Sequence, residues 1–178
     1  MTKMMFIRPP FKGMGRYVPP HLGIATLYNY LHGRFDWIEF SLVDALADAL
    51  DEEQIVKAIN YSRPDILAIT IKTMQVKQAK EIIERVKDIY NPLIICGGNH
   101  VSVSPQEFVR CGADYAIVGE GEEAIEKIIQ HEFGHYEESL DDCVNICTKN
   151  NVERSGFEPK VCVHGSDIPA PDWSIFDL

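Results

Sequence analysis

The chain has 178 residues, 46% of them apolar, with a formal net charge of −10 and a pI near 5.0. That suffices for one hydrophobic core with an appendage, and the acidity excludes nucleic acid as an expected partner, since neutralising phosphate needs a basic surface. No apolar run approaches the roughly 20 residues of a membrane helix, and the start, MTKMMFIRPP, lacks a secretory apolar core, so cytoplasmic residence is expected.

In chain order, residues 3–8 read as a short apolar strand that stops at Pro9-Pro10. The following loop, FKGMGRYVPPH, is longer than the usual ~2–6 residues of a strand-to-helix connection, and such loops tend to carry function. Ile24, Leu27, Tyr28 and Leu31 recur at helical spacing and predict a helix over 22–32. Residues 36–43 form a second strand. Asp51-Glu52-Glu53-Gln54 opens a second helix with a capping box, turning Ile55, Ala58 and Ile59 inward.

ILAITI is an almost wholly apolar strand, the pattern of a sheet covered on both faces. A third helix, about 75–90, sets Ala79, Ile82, Ile83, Val86 and Ile89 on one face. LIIC is strand four. Ser104-Pro105-Gln106-Glu107 predicts a capped helix with proline in its first turn, ending near Gly112. YAIV is strand five, and a helix from about Glu122 buries Ala124, Ile125, Ile128 and Ile129.

Five strands alternate with five helices, which predicts a parallel sheet with helices on both faces. The expected architecture is a flavodoxin-like three-layer α/β sandwich with strand order 2-1-3-4-5. From Gly134 the pattern changes: a small C-terminal β-hairpin turning at Lys149-Asn150-Asn151 is expected, then a proline-rich linker. The expected division is therefore 1–133 and 134–178. The five cysteines (Cys96, Cys111, Cys143, Cys147, Cys162) form no disulfide pattern and are read as reduced, with Cys96 a core residue.

Ligands of open parallel sheets bind beyond the carboxyl ends of the strands, and three turns lie there. Gly97-Gly98-Asn99-His100-Val101-Ser102 follows strand four; its glycines serve either a flat ligand's close approach or the turn alone. Gly119-Glu120-Gly121-Glu122-Glu123 follows strand five. Its carboxylates already occupy the positive end of the helix dipole, which disfavours phosphate there, and Glu120 serves equally as a ligand acceptor or a cap. Thr70-Ile71-Lys72-Thr73 ends strand three and is the more anion-friendly start, with Thr73 either a cap or a ligand contact.

His131-Glu132-Phe133-Gly134-His135 has the letters of the zinc-protease motif H-E-x-x-H. Gly134 weakens the continuous helix that the motif needs, so a zinc hydrolase is the lesser reading. No phosphate-binding loop G-x-x-x-x-G-K-[ST] and no dinucleotide G-x-G-x-x-G is present, and Cys143-x-x-x-Cys147 lacks a third cysteine for an iron–sulfur cluster.

The succession RPP…PPHLGIATLYNYL, LVDA, PDILAITIKT, IICGGNHVSVSPQEF, DYAIVGEGEEA and IPAPDWSIFDL resembles the N-terminal half of cobalamin (B12)-dependent radical SAM enzymes. It is most similar to the group containing the anaerobic magnesium-protoporphyrin ester cyclase and several methyltransferases. The resemblance implies a Rossmann-like cobalamin-binding domain that catalyses nothing alone. It further implies a separate radical SAM domain downstream, carrying S-adenosylmethionine and a 4Fe-4S cluster, with this chain a truncated form. By position, Pro9, Pro10 and Gly15 would lie against the corrin. Thr70, Thr73, Gly97, Gly98, His100, Ser102, Gly119, Glu120 and Gly121 would line its nucleotide tail and edge.

The D-x-H-x-x-G motif, whose histidine binds cobalt in the methionine-synthase type, is absent. His21 has Pro19 and Ile24 where Asp and Gly should stand, and His100 does not match either. The implied state is base-off cobalamin without a lower histidine ligand, with no metal held directly by the chain. The alternative is a degenerate domain of this type that has lost the corrinoid and recognises a protein or substrate.

Overall fold

The computed structural model describes residues 1–11, 18–134, 138–159 and 168–176. The strands are β1 (Thr2–Arg8), β2 (Ile38–Asp44), β3 (Ile66–Thr70), β4 (Leu93–Gly97), β5 (Tyr115–Ile117) and β6 (Ile146–Thr148). The helices are α1 (Leu22–His32), α2 (Glu52–Ser62), α3 (Val76–Ile89), α4 (Pro105–Arg110) and α5 (Glu122–Phe133). They form one sheet of order β2-β1-β3-β4-β5-β6. The first five strands are parallel in the expected order, and β6 runs antiparallel to β5, with Ala116 opposite Cys147. Among the described residues no helix is long and apolar enough to cross a membrane.

Strand alternation divides the core between the two faces of the sheet. Met4, Phe6, Ile66, Ala68 and Ile95 face α1 and α5 with Ile24, Leu31, Ile125 and Ile128. Met5, Ile7, Leu67, Ile69, Ile94 and Cys96 face α2, α3 and α4 with Ile59, Ile82, Ile83 and Phe108. Cys96 is wholly buried, which raises its thiol pKa far above the ordinary range. Cys96, Cys111, Cys143 and Cys147 are free, and Cys162 lies outside the described residues.

The Asp51 cap forms as read: its carboxylate accepts from Gln54 N at 2.8 Å, and Gln54 Oε1 accepts from Asp51 N at 2.9 Å. The box expected at Ser104 does not form. Ser104 makes no side-chain cap, and Glu107 instead meets Lys80 Nζ at 2.6 Å and the His100 ring. Ile89, expected inward, is 41% exposed because α3 ends there and the chain turns away.

The expected hairpin is also corrected. Its first arm becomes β6, drawn onto the main sheet by Ile146 and Cys147, each buried on a different face, and no partner arm follows among the described residues. The turn at 149–151 is present, closed by Asn151, which bonds Thr148 N and Ile146 O. The expected division at 133/134 thus falls between α5 and a further strand of the same sheet. Residues 168–176 strap α1: Asn29 Nδ2 donates to Ala170 O at 2.7 Å, Asp172 N to Ala25 O at 3.2 Å, and Phe176 enters the core.

Candidate functional site

Strand register brings Arg8, Asp44, Thr70 and Gly97 to one edge of the sheet, with the turn after β5 beside them. A cavity of about 250 Å³ opens there between α1 and α5. Its floor is Phe6, Ala68, Ile95 and Ile117, its walls are Ile24, Leu27 and Ile125, and its rim includes Thr70, Asn99 and the glycine turns. The lining is mostly apolar, with a few polar groups at the mouth, as in sites for flat organic ligands.

Two adjacent glycines in this rim have different physical roles. A Cβ on Gly97 would meet nothing within 4 Å. Gly98 has φ +103, and a Cβ there would stand 2.8 and 2.9 Å from the backbone N and O of Ile71. Ile71 N donates to Gly97 O at 2.8 Å, and His100 N donates to Ile71 O at 3.1 Å, so the turn is clamped onto the end of β3. Gly97 leaves space for a ligand; Gly98 lets two backbones touch.

Behind the rim, Ser102 ties the two glycine turns together. Its Oγ donates to Gly98 O at 3.2 Å and accepts from Gly119 N at 3.0 Å. His100 also faces away from the cavity: Nδ1 lies 3.2 Å from Thr73 Oγ1, and Nε2 lies 3.1 Å from Glu107 Oε2. The Lys80 hydrogen bond chiefly holds the Glu107 carboxyl below its ordinary pKa, burial opposes this, and the His100 contact adds to it.

Of the residues singled out in the sequence, Thr70, Gly97, Gly98, Gly119, Glu120 and Gly121 line the cavity. Thr73, His100 and Ser102 brace it from behind. Pro9 and Pro10 are not among the lining residues; the Pro9 carbonyl accepts from the buried Gln75 side chain. Gly15 lies outside the described residues.

Sequence reasoning missed His21, Leu27 and Ile125 as lining residues. Helical periodicity marks an inward face without saying whether protein or ligand fills the space in front of it. His21 caps α1: its Nδ1 accepts from Ile24 N at 3.2 Å, an unusual cap with no N-terminal sequence signature. Burial first, then the charges of Arg8 and Lys72, lower its pKa from 6.5 to about 4, so the ring is neutral at pH 7.

Because the unfolded chain binds this proton more readily, the stability from a neutral His21 is complete above pH 6.5 and is lost as pH falls towards 4. Between pH 7 and pH 5 the intact chain should lose roughly 1–2 kcal/mol relative to His21→Ser, allowing for the ring's partial exposure. Paired urea unfolding curves at the two pH values measure this, and parallel losses in both proteins would refute it.

The helix that carries His131 ends two residues before the second histidine of H-E-x-x-H. α5 ends at Phe133, Glu132 accepts from the Tyr115 hydroxyl, and His135 lies outside the described residues. Among the described residues no three His, Cys, Asp or Glu side chains cluster to hold a metal ion.

The family model of the B12 binding domain matches residues 15–129, 115 of the 178 residues. A protein from Pyrococcus horikoshii named an uncharacterized methyltransferase is 27% identical over 100% of this chain and 39% of its own length. The anaerobic magnesium-protoporphyrin IX monomethyl ester cyclase of Rubrivivax gelatinosus is 26% identical over 98% of this chain and 33% of its own. The chain thus spans between a third and two-fifths of these curated relatives. The structure of the cobalamin-dependent S-adenosylmethionine radical enzyme OxsB, with aqua-cobalamin and S-adenosylmethionine bound, superposes with a TM-score of 0.77 at 20% identity, over 97% of this chain and 24% of that one. Match, sheet order and edge cavity agree: the chain belongs to the B12-binding domain family, in the form similar to that of cobalamin-dependent radical SAM enzymes.

Proposed function

We propose that this chain binds cobalamin, as the cofactor-holding part of a radical SAM enzyme of the methyltransferase or cyclase type, and catalyses nothing alone. The observation that carries the reading is the open space in front of Gly97, inside an apolar cavity at the ligand-binding edge of the sheet. At about 250 Å³ the cavity is too small for a whole corrinoid and suits its nucleotide tail, with the flat ring lying across the glycine rim. Residues and ligand fit: the floor and walls are apolar, as an aromatic base requires, and Thr70 and Asn99 offer polar groups at the mouth.

Bound cobalamin supplies a cobalt centre that can carry a methyl group. The chain's own part is to bind and orient. Ile24, Leu27 and Ile125 exclude water from the base, and Ser102 keeps the two glycine turns at a fixed separation. Support for a cobalt without lower histidine comes from the two imidazoles nearest the glycine turns. Both nitrogens of His100 are engaged with protein side chains, and Nδ1 of His21 caps α1. The coverage of the relatives supports placing S-adenosylmethionine and the 4Fe-4S cluster in a separate domain of a longer protein.

The test is a titration of the chain with hydroxocobalamin, read by the visible spectrum and by retention on desalting. Gly97→Leu, whose side chain would enter the cavity without meeting protein at its Cβ, should weaken binding at least ~10-fold and leave the fold intact. Unchanged affinity in that variant would place the ligand elsewhere. No binding by the unaltered chain would leave the recognition-module reading.

A further inference from the structure

The cavity is electrostatically uneven. On the β5 side its rim carries the carboxylates Glu120 and Glu122. On the β1 side stands His21, the neighbour of two cations, Arg8 and Lys72, whose charges act on its ring. Arg8 is largely neutralised by Asp44 at 3.1 Å, whereas Lys72 is exposed at the end of β3. An anionic group entering this cavity is therefore drawn to the His21 side, where the Lys72 charge acts.

The state of the His21 ring is fixed by its cap. Accepting from Ile24 N requires a lone pair on Nδ1, and in a neutral imidazole the proton then sits on Nε2. That ring is part of the cavity lining, so its remaining N–H belongs to the wall. Gly23 leaves room for the ring, since a Cβ at that position would stand a tight 3.3 Å from Cε1. The result is a fixed, neutral N–H donor in the wall of the cavity.

Resting on the cobalamin reading, we infer that His21 donates its Nε2–H to the phosphodiester of the corrinoid's nucleotide tail, and so selects complete corrinoids over those lacking that tail. His21 is in this role a binding and specificity residue, and Lys72 supplies the field that brings the phosphate to it.

The experiment compares dissociation constants of hydroxocobalamin and of cobinamide, which has no nucleotide tail, for the unaltered chain and for His21→Ser. Serine keeps a neutral cap for α1 but is too short to reach the ligand; His21→Asn replaces it should the serine variant unfold. The expected result is a roughly tenfold loss for hydroxocobalamin in the variant with cobinamide affinity unchanged, the size of one charge-assisted hydrogen bond. Equal losses for both corrinoids, or no loss for either, overturn the assignment. Three-line nitrogen splitting in the electron paramagnetic resonance spectrum of the cobalt(II) form, absent in the variant, would make His21 a cobalt ligand and overturn it too. Failure of the unaltered chain to take up hydroxocobalamin removes the cobalamin reading itself, and this inference with it.

Discussion

Gly98→Ala should cost about 3–5 kcal/mol of folding stability, while Gly97→Ala, one residue earlier, should cost less than about 1 kcal/mol. At Gly98 two penalties combine. A φ of +103 is strained for any L side chain, and the added Cβ would stand inside contact distance of the Ile71 backbone, which cannot rotate aside. Relief requires separating the turn from β3, losing the hydrogen bonds of Ile71 N to Gly97 O and of His100 N to Ile71 O. Urea unfolding of the two alanine variants measures the contrast. Equal costs would show that the turn adapts, and that the division of labour between the glycines is wrong.

The second large effect is expected at the buried ion pair. Arg8 and Asp44, 4% and 7% exposed at their side chains, meet at 3.1 Å across β1 and β2, and Arg8 also donates to Pro19 O at 3.0 Å. Arg8→Met strands a carboxylate in the interior, which should cost about 3–5 kcal/mol. Adding Asp44→Asn removes that charge and keeps a side-chain oxygen to accept from Ala47 N, as Asp44 Oδ1 does at 3.1 Å. The double variant should therefore be more stable than the single one by about 1–3 kcal/mol. A double variant no better than Arg8→Met would mean that the Pro19 contact, not the pairing of charges, is what Arg8 supplies. Because that contact fixes one end of the loop after β1, Arg8→Met should also weaken corrinoid binding.

What the sequence makes legible here follows from local physics. Apolar runs such as ILAITI announce strands covered on both faces, and Asp51 with Gln54 announces a helix start, because both patterns are written in adjacent residues. The glycine turns fall at the site edge for the same reason: strict alternation puts every strand-to-helix turn there. β6 is not legible in that way. Ile146-Cys147-Thr148 is three residues long, and it becomes a strand only because β5, 31 residues earlier, leaves an open edge.

Within the site, the hidden part is direction. GG-x-H reads as a ligand loop, and its glycines do line the cavity, but the clamp on Ile71 turns His100 back towards Thr73 and Glu107. The caps read at Ser104 and Thr73 gave way to partners distant in sequence: Glu107, the other half of the Ser104 box, is taken by Lys80, and Thr73 by His100. His21 went unassigned because a histidine cap has no sequence signal, whereas the missing D-x-H-x-x-G had one.

The C-terminal strap gives α1 two sets of obligations. Ile24 and Leu27 of this helix wall the cavity, while Ala25 and Asn29 hold residues 168–176. The cavity wall and the anchors of residues 168–176 thus sit on one helix of eleven residues. Thermodynamic reciprocity then sets the terms. By whatever factor a seated strap improves the fit of α1 around a guest, the guest tightens the strap by the same factor.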